Sequence, residues 1–325
     1  MRFAAAWAVV MPPAVAGALA WAAAPAARPE PPGPPPRAAA PSGGLAGYVG
    51  SGTCQACHPA QYDAWVVSQH GRTIHEPSER ENALLGRSLL CGEYDAKYVL
   101  GERHARRFLV DSETEPGRHL LLPCRYDVGT AEWAHLHESD WTTRTWEREC
   151  GACHATGFSS DDLTFIEMKV GCEDCHGPGE RHGDYKTRAD MLSLRKLDPR
   201  GEVTICASCH LQGGASRKTG LHFAYNYRAG DDLFADYAFD WKSLDETPQD
   251  TANPIDIHQK LLMRRLVTGQ EGPGGALRCT SCHTIHANSH KKHEALKTGE
   301  YCYLCHEREG FAVKEYEQSC NVCEF

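Results

Sequence analysis

The sequence predicts a mostly α-helical chain with much irregular structure and one small β insertion, its interior filled by something other than aliphatic side chains. Mean hydropathy is low, −0.49, although an Ala-rich N-terminus inflates the hydrophobic content of 41%. Sixteen Cys and eighteen His stand far out of proportion in 325 residues. Their spacing identifies the filler. Seven Cys pairs are spaced C-x-x-C, and in six of them the next residue is His.

Those six are Cys54/Cys57/His58, Cys150/Cys153/His154, Cys172/Cys175/His176, Cys206/Cys209/His210, Cys279/Cys282/His283 and Cys302/Cys305/His306. Cys and His at about 5% each predict only about 0.04 such matches by chance in a chain this long. Two thiols three residues apart can each add to a porphyrin vinyl group, and the adjoining His then supplies the proximal nitrogen to the iron. Paired C-x-x-C units also build four-thiolate zinc sites, but zinc has no use for a His after the second Cys six times over. A disulfide framework leaves the same His unexplained. Six covalent c-type haems is the reading.

The fold expectation follows from that count. From about residue 48 to 325 the chain wraps stacked haems, and each flat apolar macrocycle replaces many aliphatic side chains. Helical patterns run over Ala60–His70, Ile257–Leu266 and the motifs themselves. The stretch 94–128 holds no haem motif. There Lys97–Leu100, Arg107–Val110 and His119–Arg125 read as short strands separated by turn residues such as Gly117. The Gly-rich stretch 269–275 reads as a loop between motif groups. Pro273 and the missing Lys-Ser/Thr exclude a phosphate-binding loop.

Export agrees with covalent haem. Met1-Arg2 precedes an apolar run to about Ala24, which reads as a cleaved secretory signal over 1–24 with a small-residue cleavage site. The alternative is an uncleaved membrane anchor, which Pro12 and Pro13 disfavour. Residues 25–47 form a Pro/Ala-rich linker, and 48–325 the hexahaem domain. The expected compartment is the periplasm or the extracellular space of a bacterium. With 34 basic against 43 acidic residues the net charge is −9. That argues against nucleic acid as a partner and for redox proteins with a basic docking patch.

Three stretches resemble a known family. They are Tyr48-Val-Gly-Ser-Gly-Thr-Cys54-Gln-Ala-Cys57-His58 with Trp65 and Ser68-Gln-His70, Asp140-Trp141 to Gly157, and Gly171-Cys172-Glu-Asp-Cys175-His176-Gly-Pro-Gly-Glu-Arg-His182. They are similar to the multihaem cytochromes typified by the tetrahaem electron acceptor of hydroxylamine oxidoreductase, of the doubled CxxCH type. The resemblance implies stacked haems in a mostly helical, exported electron carrier. It also implies distal ligation by His70 and His182, and it includes members with one open haem. This chain carries six sites where the type member has four.

The remaining distal ligands are sought among the other residues. Twelve His lie outside the motifs, whereas the mature Met candidates are Met168, Met191 and Met263. Two imidazoles per iron is the economical arrangement, with lower potentials than Met/His ligation. His258, in a helical run, and His286 follow His70 and His182. His286 lies three residues after His283, on the proximal side of that haem, so it would serve a neighbour. His137, His222 and His290 rank next, while His104 and His119 are expected to be exposed in the β insertion.

Cys91 and Cys124 flank that insertion, and a disulfide is their default in an oxidising compartment. Cys320 and Cys323 end without a His, so a disulfide is preferred there over a seventh haem or a redox-active pair. The expected function is electron transfer through six haem c groups. Two alternatives remain. One is an oxidoreductase acting on a small nitrogen or sulfur compound at one open haem, with His135, His137 or Arg144 nearby. The other is a subunit of an oligomer or haem filament.

Overall fold

Capping signals and apolar alternation set the local structure. A computed structural model of the chain describes residues 46–102, 104–187, 190–246, 254–268 and 278–286. The first half contains α1 (Ser51–Cys54), α2 (Pro59–Val66), β1 (Ile74–His75), α3 (Glu79–Leu85), β2 (Tyr98–Leu100), β3 (Ala105–Asp111), β4 (His119–Asp127), β5 (Trp133–His135), α4 (Trp146–Glu149) and α5 (Gly151–His154). It continues through α6 (Glu173–His176), α7 (Glu180–Tyr185), α8 (Pro199–His210), β6 (Ala215–Ser216), α9 (Leu233–Asp236), β7 (Tyr237–Ala238), α10 (Ser243–Glu246), α11 (Pro254–Thr268) and α12 (Cys279–Cys282). The chain is thus helical with a small antiparallel sheet. No described helix is long and apolar enough to cross a membrane.

Two helices show how sequence sets their starts. In α3 the Ser78 hydroxyl accepts from the Glu81 amide at 3.3 Å while the Glu81 carboxylate accepts from the Ser78 amide at 3.0 Å, a reciprocal cap. In α8 the Asp198 carboxylate accepts from the Gly201 amide at 2.6 Å, and Pro199 takes the first helical position, where no amide is needed.

Strands β1 to β5 pair in chain order as one antiparallel sheet. Alternation divides its two faces. Phe108, Leu122 and Cys124 pack with Leu85, Cys91 and Val99 on one side. Leu109 and Leu121 pack with Ile74, Trp146 and Ala155 on the other, so this second face meets the segment bearing Cys150. Trp146 is fully buried there, and burying a large apolar side chain contributes about 3 kcal/mol. Cys91 and Cys124 form a disulfide with Cα atoms 6.4 Å apart.

The sheet departs from expectation in two respects. β1 and β5 add strands outside the expected 94–128, and both are too short to display alternation. His119 is buried rather than exposed: its Nδ1 lies 2.8 Å from the wholly buried Glu147 carboxylate. A charged partner brought in by α4 makes that burial tolerable.

A second core gathers Val203, Ala207 and Leu211 of α8 with Leu233, Tyr237 and Met263, the last on α11. The Tyr237 hydroxyl donates to the Leu211 carbonyl at 2.7 Å, which satisfies its polar end inside apolar surroundings.

Candidate haem-binding site

Two thiols and an imidazole must face one porphyrin, and a single helical turn brings them there, because residues i, i+3 and i+4 share a helix face. The described motifs adopt that turn. The His amide donates to the carbonyl of the first Cys at 2.9 Å in Cys54–His58, 3.0 Å in Cys150–His154, 3.0 Å in Cys172–His176 and 2.9 Å in Cys279–His283. Cys206 to His210 forms the last turn of α8.

Buried carboxylates lock the motifs together. Glu173, inside its own motif, accepts from the amides of Val49 at 3.0 Å, Gly50 at 2.8 Å and Gly179 at 2.7 Å. Ser51 donates to Glu167 and accepts from the Cys172 amide at 3.0 Å, and the Trp65 indole donates to the Val170 carbonyl at 2.9 Å. The first motif is thereby held against the third. Glu202 of α8 accepts from the Thr280 amide at 2.8 Å, which ties the fourth motif to the fifth. Thiols of different motifs also meet: Cys54 with Cys172, Cys153 with Cys209, and Cys206 with Cys279.

The imidazoles supply the fit test for haem. His58 and His182 have ring centres 6.1 Å apart, His176 and His286 6.1 Å, and His70 and His210 6.3 Å. Two imidazoles on opposite sides of one metal, each bonded at about 2.0 Å through a nitrogen about 1.1 Å from its ring centre, stand about 6.2 Å apart. The interplanar angles are 24°, 7° and 66°. A fixed separation with a free angle is what rotation about a metal–nitrogen bond allows, whereas ring stacking fixes the angle.

The nitrogens agree with that geometry. His176 Nδ1 lies 2.8 Å from the Leu192 carbonyl and His182 Nδ1 2.8 Å from the Thr187 carbonyl, so in both rings Nε2 keeps its lone pair for a metal. Burial, helped by the neighbouring imidazoles of His210 and His70 respectively, pushes His154 and His210 down to about 4. Burial likewise lowers His70 and His286. Neutral imidazole is the ligating form. Among the described residues no group of three or more His, Cys, Asp or Glu is arranged to hold a metal ion.

Other sequence candidates lie elsewhere. His222 is exposed with Nε2 3.0 Å from the Glu149 carbonyl, so the nitrogen that the ligand reading needs is turned to backbone. His137 is exposed at a positive φ of 58°, with Nδ1 3.8 Å from Asp140. His258 belongs to α11, and its side chain lies outside the described residues, as does that of Cys282. His290, Cys302, Cys305, His306, Cys320 and Cys323 lie outside them altogether. The sequence reading missed Arg107 and Arg125, whose strand periodicity puts them on the sheet face that meets Cys150. It also missed the carboxylate staples, for which no local pattern exists.

Residues 53–92 and 128–177 match the family model described as cytochrome c554 and c-prime, and residues 272–311 match the doubled CXXCH motif. Cytochrome c-554 of Nitrosomonas europaea is 29% identical over 99 residues, 25% of this chain and 42% of that protein. Among solved structures, the outer cell wall cytochrome OcwA aligns with TM-score 0.46 at 23% identity, over 59% of this chain and 44% of its own. An undecahaem cytochrome from the S-layer of Carboxydothermus ferrireducens aligns with TM-score 0.44 at 20% identity, over 82% of this chain and 44% of its own. Each match thus spans less than half of the relative's length. With its C-x-x-C-H turns, its matched family segments and its doubled motif, the chain is a multihaem c-type cytochrome of the doubled CXXCH type that binds haem c covalently.

Proposed function

We propose that this chain is an exported respiratory carrier that passes single electrons along about six covalently bound haems, most of them held between two histidines. The observation that carries this reading is the recurrence of the metal-bridging separation, 6.1 to 6.3 Å, between three motif histidines and three histidines from outside their own motifs. His58, His176 and His210 would hold the irons of their motifs, and His182, His286 and His70 respectively would supply the second imidazole. His154, His283 and His306 would hold the other irons, with His258 and His290 as the remaining distal candidates.

Each haem supplies a one-electron iron couple when bound. The chain does the rest. Nδ1 contacts such as His176 to Leu192 fix ring orientation and raise ligand basicity. Burial excludes water, and imidazole rather than Met keeps the potentials low. Contacts between motifs would hold the macrocycles close to one another, so that helical turns and sheet would wrap one connected chain of haems. The acidic body suits a basic docking patch on a redox partner, with salt-sensitive association.

Electron paramagnetic resonance of the oxidised protein tests the reading, with intact mass giving the haem count. Low-spin ferric signals for most of six haems are expected. High-spin iron at full occupancy, with carbon monoxide binding to the native reduced protein, would instead favour an oxidoreductase. That second reading draws on His154, opposite which no imidazole stands at the metal-bridging separation among the described residues.

A further inference from the structure

Beside the haem that Cys150 and Cys153 carry, the sheet face presents more positive charge than the fold uses. Arg107 and Arg125 are direct cross-strand partners on β3 and β4, a like-charge pairing that weakens a sheet when nothing lies between the charges. A register shift follows immediately, between Arg107 and Leu109. Such irregularities re-aim side chains beside functional sites.

Arg144, from the loop that leads into α4, completes the cluster. Its charge and that of Arg125 both act on Arg107, as do the Cys150 sulfur and the Glu149 carboxylate. Arg144 has two carboxylate neighbours, Glu149 at 2.7 Å and Asp140 at 3.6 Å, and Arg125 has Asp127 at 3.4 Å. No ion pair or side-chain hydrogen bond of Arg107 is found among the described residues. All three Nε atoms are buried without an acceptor. The Arg144 and Arg125 side chains are 27% and 44% exposed, so the cluster opens to solvent.

Three buried Nε donors without an acceptor, on Arg107, its cross-strand partner Arg125 and nearby Arg144, call for an acceptor that carries negative charge and several oxygens. We propose that Arg107, Arg125 and Arg144 form an oxyanion-binding site at the thioether edge of the haem held by Cys150 and Cys153. Propionates leave a porphyrin from the edge opposite its thioethers, so a haem bound through Cys150 and Cys153 would carry its own propionates away from the cluster. The ligand is therefore a dissolved small oxyanion or a propionate of an adjacent haem. In either case it brings negative charge to the porphyrin, where the arginines govern how strongly reduction is favoured.

The test uses the haem-loaded full chain, with intact mass verifying equal loading of every variant. Sulfate is titrated calorimetrically at ionic strength held constant with chloride, and haem midpoint potentials are read by spectroelectrochemistry. A dissolved oxyanion predicts saturable sulfate binding at one site per chain, at least tenfold weaker in Arg107→Gln and partly restored in Arg107→Lys. A propionate predicts no sulfate binding, but a lowered midpoint potential for one haem in Arg107→Gln that Arg107→Lys recovers. Arg125→Gln, at a more exposed position, gives the same readouts at smaller amplitude should Arg107→Gln not fold. Loaded variants with neither altered binding nor an altered potential overturn the proposal.

Discussion

His176 and His286 face each other with ring centres 6.1 Å apart and planes 7° from parallel. His286 follows the fifth motif by three residues, whereas His176 closes the third, so one iron would clamp two distant parts of the chain. Replacing His286 with Ala is expected to convert one haem from low-spin to high-spin and to create one equivalent of carbon monoxide binding. His286→Met should keep that haem low-spin and raise its potential, because thioether ligation favours the ferrous state. An unchanged paramagnetic spectrum in His286→Ala would contradict the pairing.

The haem motifs were legible because covalent chemistry needs i, i+3 and i+4, a spacing that survives any tertiary context. Which motif each distal histidine faces was not, since His182 reaches His58 and His70 reaches His210 through folding rather than through local pattern. His119 shows the same divide. In the sequence it is a polar residue at the start of a strand, and Glu147, which makes its burial tolerable, arrives from another element. Strands β2 to β4 could be read from their residues, whereas β1 and β5 are two and three residues long and exist through pairing alone.

Glu81 makes the stability of the α3 region depend on acid. Burial would raise its carboxyl, but hydrogen bonds from the Ser78 hydroxyl and amide and from His75 outweigh that and hold it at about 2, below the usual 4.5. A depressed folded value stabilises the fold above the unfolded value. That stability is fully present above about 4.5 and is lost as pH falls toward 2. Thermal unfolding followed between pH 5 and 2.5 should therefore fall more steeply in the native chain than in Glu81→Gln. Equal slopes would remove the assigned role.

The Cys91–Cys124 bridge closes a loop of 33 residues, so its removal relaxes the unfolded chain. The loop-entropy relation gives about 4 kcal/mol for a closure of this size. The double variant Cys91→Ala/Cys124→Ala should lower the denaturant midpoint of the sheet, read by amide exchange at Val99 and Leu122. Haem loading should stay intact, because neither thiol belongs to a C-x-x-C-H motif. A loss of haem in this variant would instead assign the sheet a part in maturation.

Glu173 joins the N-terminal strap to the third motif through both of its oxygens. Oε1 accepts from Val49 and Gly179, and Oε2 from Gly50. In Glu173→Gln one oxygen becomes a donor facing a backbone donor, a mismatch that costs about 1–3 kcal/mol. The damage should be local: faster amide exchange at Val49 and Gly50, with α8 and its core unaffected because α8 is fixed by Asp198 and Glu202 instead. Since α1 follows this strap directly, the variant should also weaken the contact between Cys54 and Cys172 and alter the interaction of the first and third haems, seen as a change in their paramagnetic coupling. Unchanged exchange at Val49 would show that the Ser51–Glu167 and Trp65–Val170 contacts suffice to hold the first motif.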